Sequence, residues 1–244
     1  MAINSVSFDS SNPVSSFTLP KDFGKVVRLF PLPNLVLFPG VVQTLHIFEP
    51  RYRQLTHDAL QSDQLITMVL ENSDAASPGD PRPDVSSTVC VGKIISHNQF
   101  EDGRYNLLLV GSARAKIVKE IVTDHPYRTA EVEILKDSVQ YAPDDADPLK
   151  QQVLDLFKKL IDQRGLSDVD SLSRLFEGDV PLGQLCDLIS FACGAEPIQQ
   201  QRVLEEPEIC RRAEILIQIL QGLLSKLAPK KDSGIGFPPE FSDN

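Results

Sequence analysis

The sequence lacks a long hydrophobic run. Its most apolar stretch, LFPLPNLVLFPG from Leu29 to Gly40, is interrupted by three prolines and an asparagine. A membrane-spanning helix takes about 20 consecutive apolar residues, and proline is barred from helix interiors. No membrane partner is therefore expected. Cysteine is scarce too: Cys90, Cys186, Cys193 and Cys210, with no CxxC pair. Zinc ribbons require such pairs, so buried free thiols are the expectation. Positive charge is in deficit. The chain carries a net charge of −10, distributed as −2 over residues 25–137, −6 over 138–228 and −1 in each flanking tail. No region offers the basic field that drives binding to phosphate backbones, so nucleic acid is not an expected partner. There is no G-x-x-x-x-G-K-[ST] loop to cradle nucleotide phosphates. The N-terminus, MAINSVSFDSSNPVSSFTLP, has neither early positive charge nor an apolar signal core, which makes a cytoplasmic location the default expectation.

What is present is ordinary for a folded chain of 244 residues: 41% hydrophobic and 24% charged. Strand signals dominate Lys25 to Asp137. KVVRLF opens the series, and LITMVLE is a β-branched apolar run. TVCVGKIISHNQ and RYNLLLVGSARAKIVKEIV flank EDGR, whose Asp102-Gly103 is a hairpin signal. RTAEVEIL alternates Ala130, Val132 and Ile134 with Glu131 and Glu133, as a half-buried strand does. One helix is expected within this region. Pro50 suits its first position, and Tyr52, Leu55, Ala59 and Leu60 share a face. The proline-rich stretch 72–87 reads as a long loop. Within the opening run, Leu29 and Phe30 should end the first strand. Residues 31–34 should turn, Leu35 to Phe38 should resume as buried chain, and Pro39-Gly40 should turn into the next strand.

From Asp147 the period becomes helical. DPLKQQVLDLFKKLIDQRG offers Asp147 as an N-cap, Pro148 next to it, a stripe of Leu149, Val153, Leu156 and Leu160, and Gly165 near the stop. DSLSRLFEGD, PLGQLCDLISFAC and PIQQQRVLEE read as shorter helices. The last helix aligns Ile209, Ala213, Leu216, Leu220, Leu223 and Leu227, and would run roughly 30 Å. The fold class is α+β, with a β-rich lobe at 25–137, a helical lobe at 138–228 and tails at 1–24 and 229–244. The tails have the composition of loose termini, although Phe237 and Phe241 could serve a docking motif.

RLFPLPNLVLFPGVVQTLHIFEPRYRQLTHDAL resembles the opening signature of the Lon protease N-terminal, substrate-binding domain. VGKIISHNQFEDGRYNLLLVGSARAKI resembles that family's central hairpin, with a G-x-x-R step at Gly111 and Arg114. LCDLISFACGAEPIQQQRVLEEPEICRRAEILIQIL resembles its closing helices. The resemblance covers roughly residues 25–228 and implies a PUA-like β-barrel lobe followed by a helical bundle. It makes Pro39, Gly40, Glu49, Arg51, Gly111 and Arg114 structural signature residues, and it implies recognition of unfolded or tagged substrates. The ATPase and protease segments of full-length Lon have no counterpart in the sequence, so a non-catalytic, stand-alone domain without cofactor is expected.

Candidate chemistry is sparse. His46, His57, His97 and His125 are scattered, and His46 near Glu49 lacks a nucleophile or metal partner. Glu49 and Arg51 are expected to tie down a helix start, with Arg114 as a charge-assisted partner. Ser225 and Lys226 are adjacent on a helix and do not face each other as a Ser–Lys pair must. Asp144, Asp145 and Asp147 lack the spacing and glycine of a calcium loop, so no metal is expected. Binding surface remains. An extended peptide could add to a strand edge, or a groove between lobes could hold it. Phe30, Phe38, Phe48 and Tyr52 are the candidate peptide-binding aromatics. The expected partners are unfolded or apolar-rich polypeptide, or a separate protease or chaperone that this chain serves as adaptor. RNA binding, suggested by the PUA-like architecture alone, is a remoter reading, and an enzyme in its own right has only scattered His and Glu behind it.

Overall fold

The computed structural model describes residues 19–20, 23–72, 83–139, 143–165 and 180–227. The expected helix DSLSRLFEGD, most of the 72–87 loop and nearly all of both tails lie outside them.

Among the described residues, six strands and five helices follow in order: β1 Val26–Leu32, β2 Val42–Ile47, α1 Pro50–Leu60, β3 Leu65–Leu70, β4 Thr88–Gln99, β5 Tyr105–Ile121, β6 Arg128–Ile134, α2 Pro143–Arg164, α3 Leu182–Ala192, α4 Pro197–Glu205 and α5 Ile209–Leu227. The fold is mixed α+β. The sheet order is β2-β5-β4-β3-β1-β6, and β5 also pairs with β6. The ladder therefore returns on itself through β5, β4, β3, β1 and β6, and β2 hangs on the first half of β5. The length of β5 makes this possible. Its residues 105–110 pair with β2, and residues 115–121 pair with β6. Register shifts add Ser112 to β5 opposite Val91 and Gly92, and Ile95 to β4 between Ile94 and Ser96, and bend the pair.

Alternation divides the apolar residues of the cycle between two cores. Val27, Leu29, Leu65, Val69, Val89, Val91, Ala115, Ala130 and Val132 form one, drawing on all five strands of the cycle. Phe30, Ile66, Met68, Cys90 and Ile94, from β1, β3 and β4, join the second with Leu55 and Ala59 of α1. That second core continues into Val153 and Leu160 of α2, Leu185 and Ile189 of α3, and Leu216 and Leu220 of α5.

The opening run behaves as expected over Val36 to Phe38, which are buried chain. Its first turn comes later than the sequence suggests. β1 continues through Pro31 to Leu32, with Pro31 in register with Val69. Proline is tolerated there because the β6 partnership ends at Leu29, leaving no acceptor waiting for the missing N–H. A second correction concerns α2. It begins at Pro143, so Pro148 lies inside it and Asp147 is not its N-cap. Pro143 offers the fixed φ of a first helical residue one turn earlier. Gly165 does end the helix region, at a φ of 65°. The Asp102-Gly103 hairpin is also present. Gly103 has a φ of 82°, and the Asp102 carboxylate accepts the Arg104 N–H at 3.1 Å.

Candidate functional site

Two places concentrate side-chain chemistry. The first lies where β5 meets the helices. Pro39 and Gly40 turn the chain against Gly111 of β5: Gly40 N–H donates to the Gly111 carbonyl and Gly111 N–H to the Val41 carbonyl, both at 2.9 Å. No larger residue fits at 111. A Cβ there would sit 2.0 Å from the carbonyl oxygen of Phe38. Three residues on, the buried Arg114 side chain reaches into the helices. Its Nε donates to the Leu204 carbonyl at 3.2 Å, Nη1 donates to Asp187 Oδ2 at 3.0 Å, and Nη2 donates to Asp187 Oδ1. Arg212 of α5 is fully buried and completes an alternating quartet. Its Nη1 and Nη2 donate to Asp137 at 3.1 and 2.5 Å, and its Nε donates to the Glu206 carbonyl at 2.9 Å. Cross-contacts of 3.6 Å join Arg114 to Asp137 and Arg212 to Asp187.

Two positive and two negative charges neutralise one another in this quartet, in which Arg114, Asp187 and Arg212 are buried and Asp137 is partly exposed. Burial pushes the Asp187 carboxyl upward against the pull of Arg114 and Arg212. Burial also opposes the Arg212 charge, but hydrogen bonding to Asp137 and the field of Asp187 hold it further into the protonated range. A cavity of about 300 Å³ opens beside the quartet, lined among others by Pro39, Gly40, Gly111, Arg114, Asp137 and Asp187. Four of the six signature residues therefore converge at one junction. The other two do not join them. Glu49 and Arg51 pair with each other at 3.0 Å at the start of α1. Arg114 is consequently not the partner of that pair. Its charge partners are Asp187 on α3 and Asp137 in the chain leaving β6.

The second place is the outer surface of β2 and the β4–β5 hairpin. Phe48 is 61% exposed. The His46 ring stacks near it with centroids 6.2 Å apart, and Phe100 meets His46 edge-on at the same distance. The Arg104 guanidinium lies 5.7 Å from the Phe100 ring centre, and His46 Nδ1 lies 2.7 Å from Asn106 Oδ1. Of the four candidate aromatics, only Phe48 presents itself to solvent. Phe30 and Tyr52 are buried against each other at 4.3 Å, and Phe38 is wholly buried.

Other candidate chemistry is dispersed. Ser225 Oγ donates to the Gly222 carbonyl, whereas Lys226 Nζ lies 3.8 Å from Glu196, so each has a separate partner. All four cysteines are buried and outside any disulfide, and burial pushes the Cys90 and Cys186 thiols up to about 12, far from the reactive thiolate range. Among the described residues, no three of His, Cys, Asp and Glu cluster as metal ligands, and no helix is long and apolar enough to cross a membrane.

Residues 26–222 match the family model of the ATP-dependent protease La (LON) substrate-binding domain. Lon protease 2 of Myxococcus xanthus is 26% identical over 218 residues, covering 88% of this chain and 26% of its own length. Lon protease of Roseiflexus castenholzii is 27% identical over 205 residues, covering 83% and 25%. The chain thus spans about a quarter of the length of these curated relatives. Two solved structures share the fold. The Lon N-terminal domain protein from Xanthomonas campestris has a TM-score of 0.57 at 22% identity, covering 79% of this chain and 97% of its own. The N-terminal domain of Mycobacterium avium complex Lon protease has a TM-score of 0.62 at 16% identity, covering 81% and 98%.

Proposed function

The chain belongs to the Lon substrate-binding domain family, and from that premise we propose that it is a non-catalytic module that binds unfolded or apolar-rich polypeptide. The observation that carries this reading is the exposed aromatic corner of Phe48, His46 and Phe100. An aromatic side chain left in solvent beside two other rings is a ready anchor for an apolar segment. We read the closed strand cycle as the PUA-like barrel and α2 to α5 as the helical lobe, with the boundary near Asp137. The same reading makes the protein cytoplasmic and free of cofactor. Turnover, when it occurs, belongs to a separate protease or chaperone that this chain supplies with clients. The excess negative charge of residues 138–228 favours that adaptor role over RNA binding.

Fluorescence anisotropy with a labelled, permanently unfolded protein tests the reading. Micromolar binding without cleavage of the client is expected. Phe48→Ala should weaken it roughly ten-fold, the effect of losing one anchor worth about 1–2 kcal/mol. Phe30→Leu, in the core, should leave it unchanged. Absence of binding to any unfolded client, or equal binding by Phe48→Ala, overturns the proposal.

A further inference from the structure

Among the described residues β2 differs from the other five strands. Each of those pairs with at least two neighbours, whereas β2 pairs with β5 alone. Its register with β5 runs unbroken from Val42 to Ile47, without a bulge. Gly111 N–H donates to the Val41 carbonyl just before the strand. Hydrogen-bonded positions alternate along an antiparallel pair, so Val41, Gln43, Leu45 and Ile47 face β5. The N–H and C=O groups of Val42, Thr44 and His46 therefore face outward along the open edge.

Open edges of monomeric proteins are normally guarded by charges, prolines or bulges. Val42 to Ile47 contains none of these, in a chain whose net charge is −10. One outward acceptor already has a partner of the kind an incoming strand would bring: the Gln43 side-chain amide donates to the Thr44 carbonyl at 2.6 Å. The alternate side chains beside the edge are exposed and uncharged apart from the imidazole: Val42 at 49% and Phe48 at 61%, with Thr44 and His46 exposed between them.

We propose that β2 is the docking edge for one extended segment of client polypeptide, which adds as an antiparallel or parallel strand and takes the backbone slots at Val42, Thr44 and His46. This rests on the polypeptide-binding reading above and assigns it a site. Six strand residues at about 3.3 Å each offer a track of about 20 Å, enough for a client segment of similar length. The segment displaces the Gln43 amide from the Thr44 carbonyl and lays alternate apolar side chains against Val42 and the Phe48–His46–Phe100 corner. The negative charge of the whole chain selects against acidic segments, so the occupant is apolar and neutral to basic.

The test uses the full chain and a fluorescein-labelled peptide of alternating valine, threonine and phenylalanine with lysine at each end. Two further versions carry backbone N-methyl groups on one alternate set of amides or on the other, with all side chains unchanged. The unmodified peptide should bind. One methylated set should lose roughly ten-fold or more, and the other should bind nearly as well, because an added strand uses every second amide. Thr44→Pro should abolish binding while leaving thermal stability close to that of the parent, since that N–H does not serve β5. Amide exchange at Val42, Thr44 and His46 should slow when the peptide is added. Binding that survives both methylation patterns or Thr44→Pro overturns the edge site but leaves the polypeptide-binding reading standing. Absence of binding by every peptide and unfolded client overturns both. Protection of β2 by concentration-dependent self-association, unaffected by peptide, would assign the edge to a second copy of this chain and overturn the client assignment.

Discussion

Gly111→Ala is predicted to be among the most damaging single-methyl changes in the protein. The added Cβ would lie 2.0 Å from the Phe38 carbonyl oxygen and 3.1 Å from Cys90 Sγ. An ordinary carbon–oxygen contact is about 3.3 Å, so one strand must retreat by roughly 1 Å. The obstacle is backbone, and it is fastened on the far side by Gly40 N–H to Gly111 O and Gly111 N–H to Val41 O. Weakening two hydrogen bonds costs about 1 kcal/mol each, and forced repacking of a full core adds about 1–3 kcal/mol. The expected loss is about 3–5 kcal/mol. For a domain of this size each kcal/mol shifts the melting temperature by about 2–4 °C, so Tm should fall by roughly 6–20 °C. Gly222→Ala is the matched control. It lies in α5, and nothing stands within 4 Å of its would-be Cβ. The same methyl there should stabilise by about 0.5–1 kcal/mol, the usual gain on replacing an exposed helical glycine. Thermal unfolding of both variants by circular dichroism decides the matter. A Gly111→Ala melting temperature within about 1 °C of the parent, or equal losses at both sites, refutes the close-approach account.

Two further outcomes follow from the charged groups. Arg114→Met should cost about 3–5 kcal/mol in urea unfolding, because Asp187 loses its bidentate partner while staying buried. The double variant Arg114→Met, Asp187→Leu should recover much of that loss, since Arg212 keeps its closer partner Asp137; a double variant as unstable as the single would contradict it. In α1, burial raises the Asp58 carboxyl, but the Tyr127 hydroxyl and Gln54 amide that donate to it, with His125 and His57, hold it below the usual range. A depressed carboxylate contributes stability above its unfolded pKa and loses it as pH falls through the folded one. The stability difference between the parent and Tyr127→Phe should therefore be largest near neutral pH and shrink below about pH 4. A difference that grows on acidification would reverse the sign.

Local pattern carried most of the secondary structure. The face Tyr52, Leu55 and Ala59 was readable because helical period and Pro50 agree, and both appear in α1. The hairpin at Asp102-Gly103 was readable because a positive φ there demands glycine. The errors have a common source. Asp147 looked like a cap only because the extra turn from Pro143 has no apolar period to announce it. Arg212 stands in α5 beside the apolar stripe of Ile209, Ala213 and Leu216, and its charge partner Asp137 lies 75 positions earlier. Arg114 was matched with Glu49 and Arg51 by shared membership of a motif, while its true partner, Asp187, lies 73 positions away. Charge pairing across a fold leaves no local periodicity to read. Phe30, Phe38, Phe48 and Tyr52 were equally indistinguishable in sequence, because aromatic residues serve cores and surfaces alike. Only packing separates Phe48 from the rest.

The two chemical centres are linked by one piece of backbone. Gly111 fixes the Pro39–Gly40 turn through its carbonyl and the Val41 carbonyl through its amide. That exchange sets which residues of β2 face β5 and hence which amides face outward. A one-residue slip would turn Val42, Thr44 and His46 inward and present the Gln43, Leu45 and Ile47 set to the open edge. Ile47 is buried and belongs to the core, so such a slip is costly. Three residues beyond Gly111, the same strand anchors Arg114 in the helices. The signature glycine thus serves two ends at once. It seats the ion quartet against α3 and α5, and it holds the outer strand in the register that leaves an unguarded edge beside Phe48.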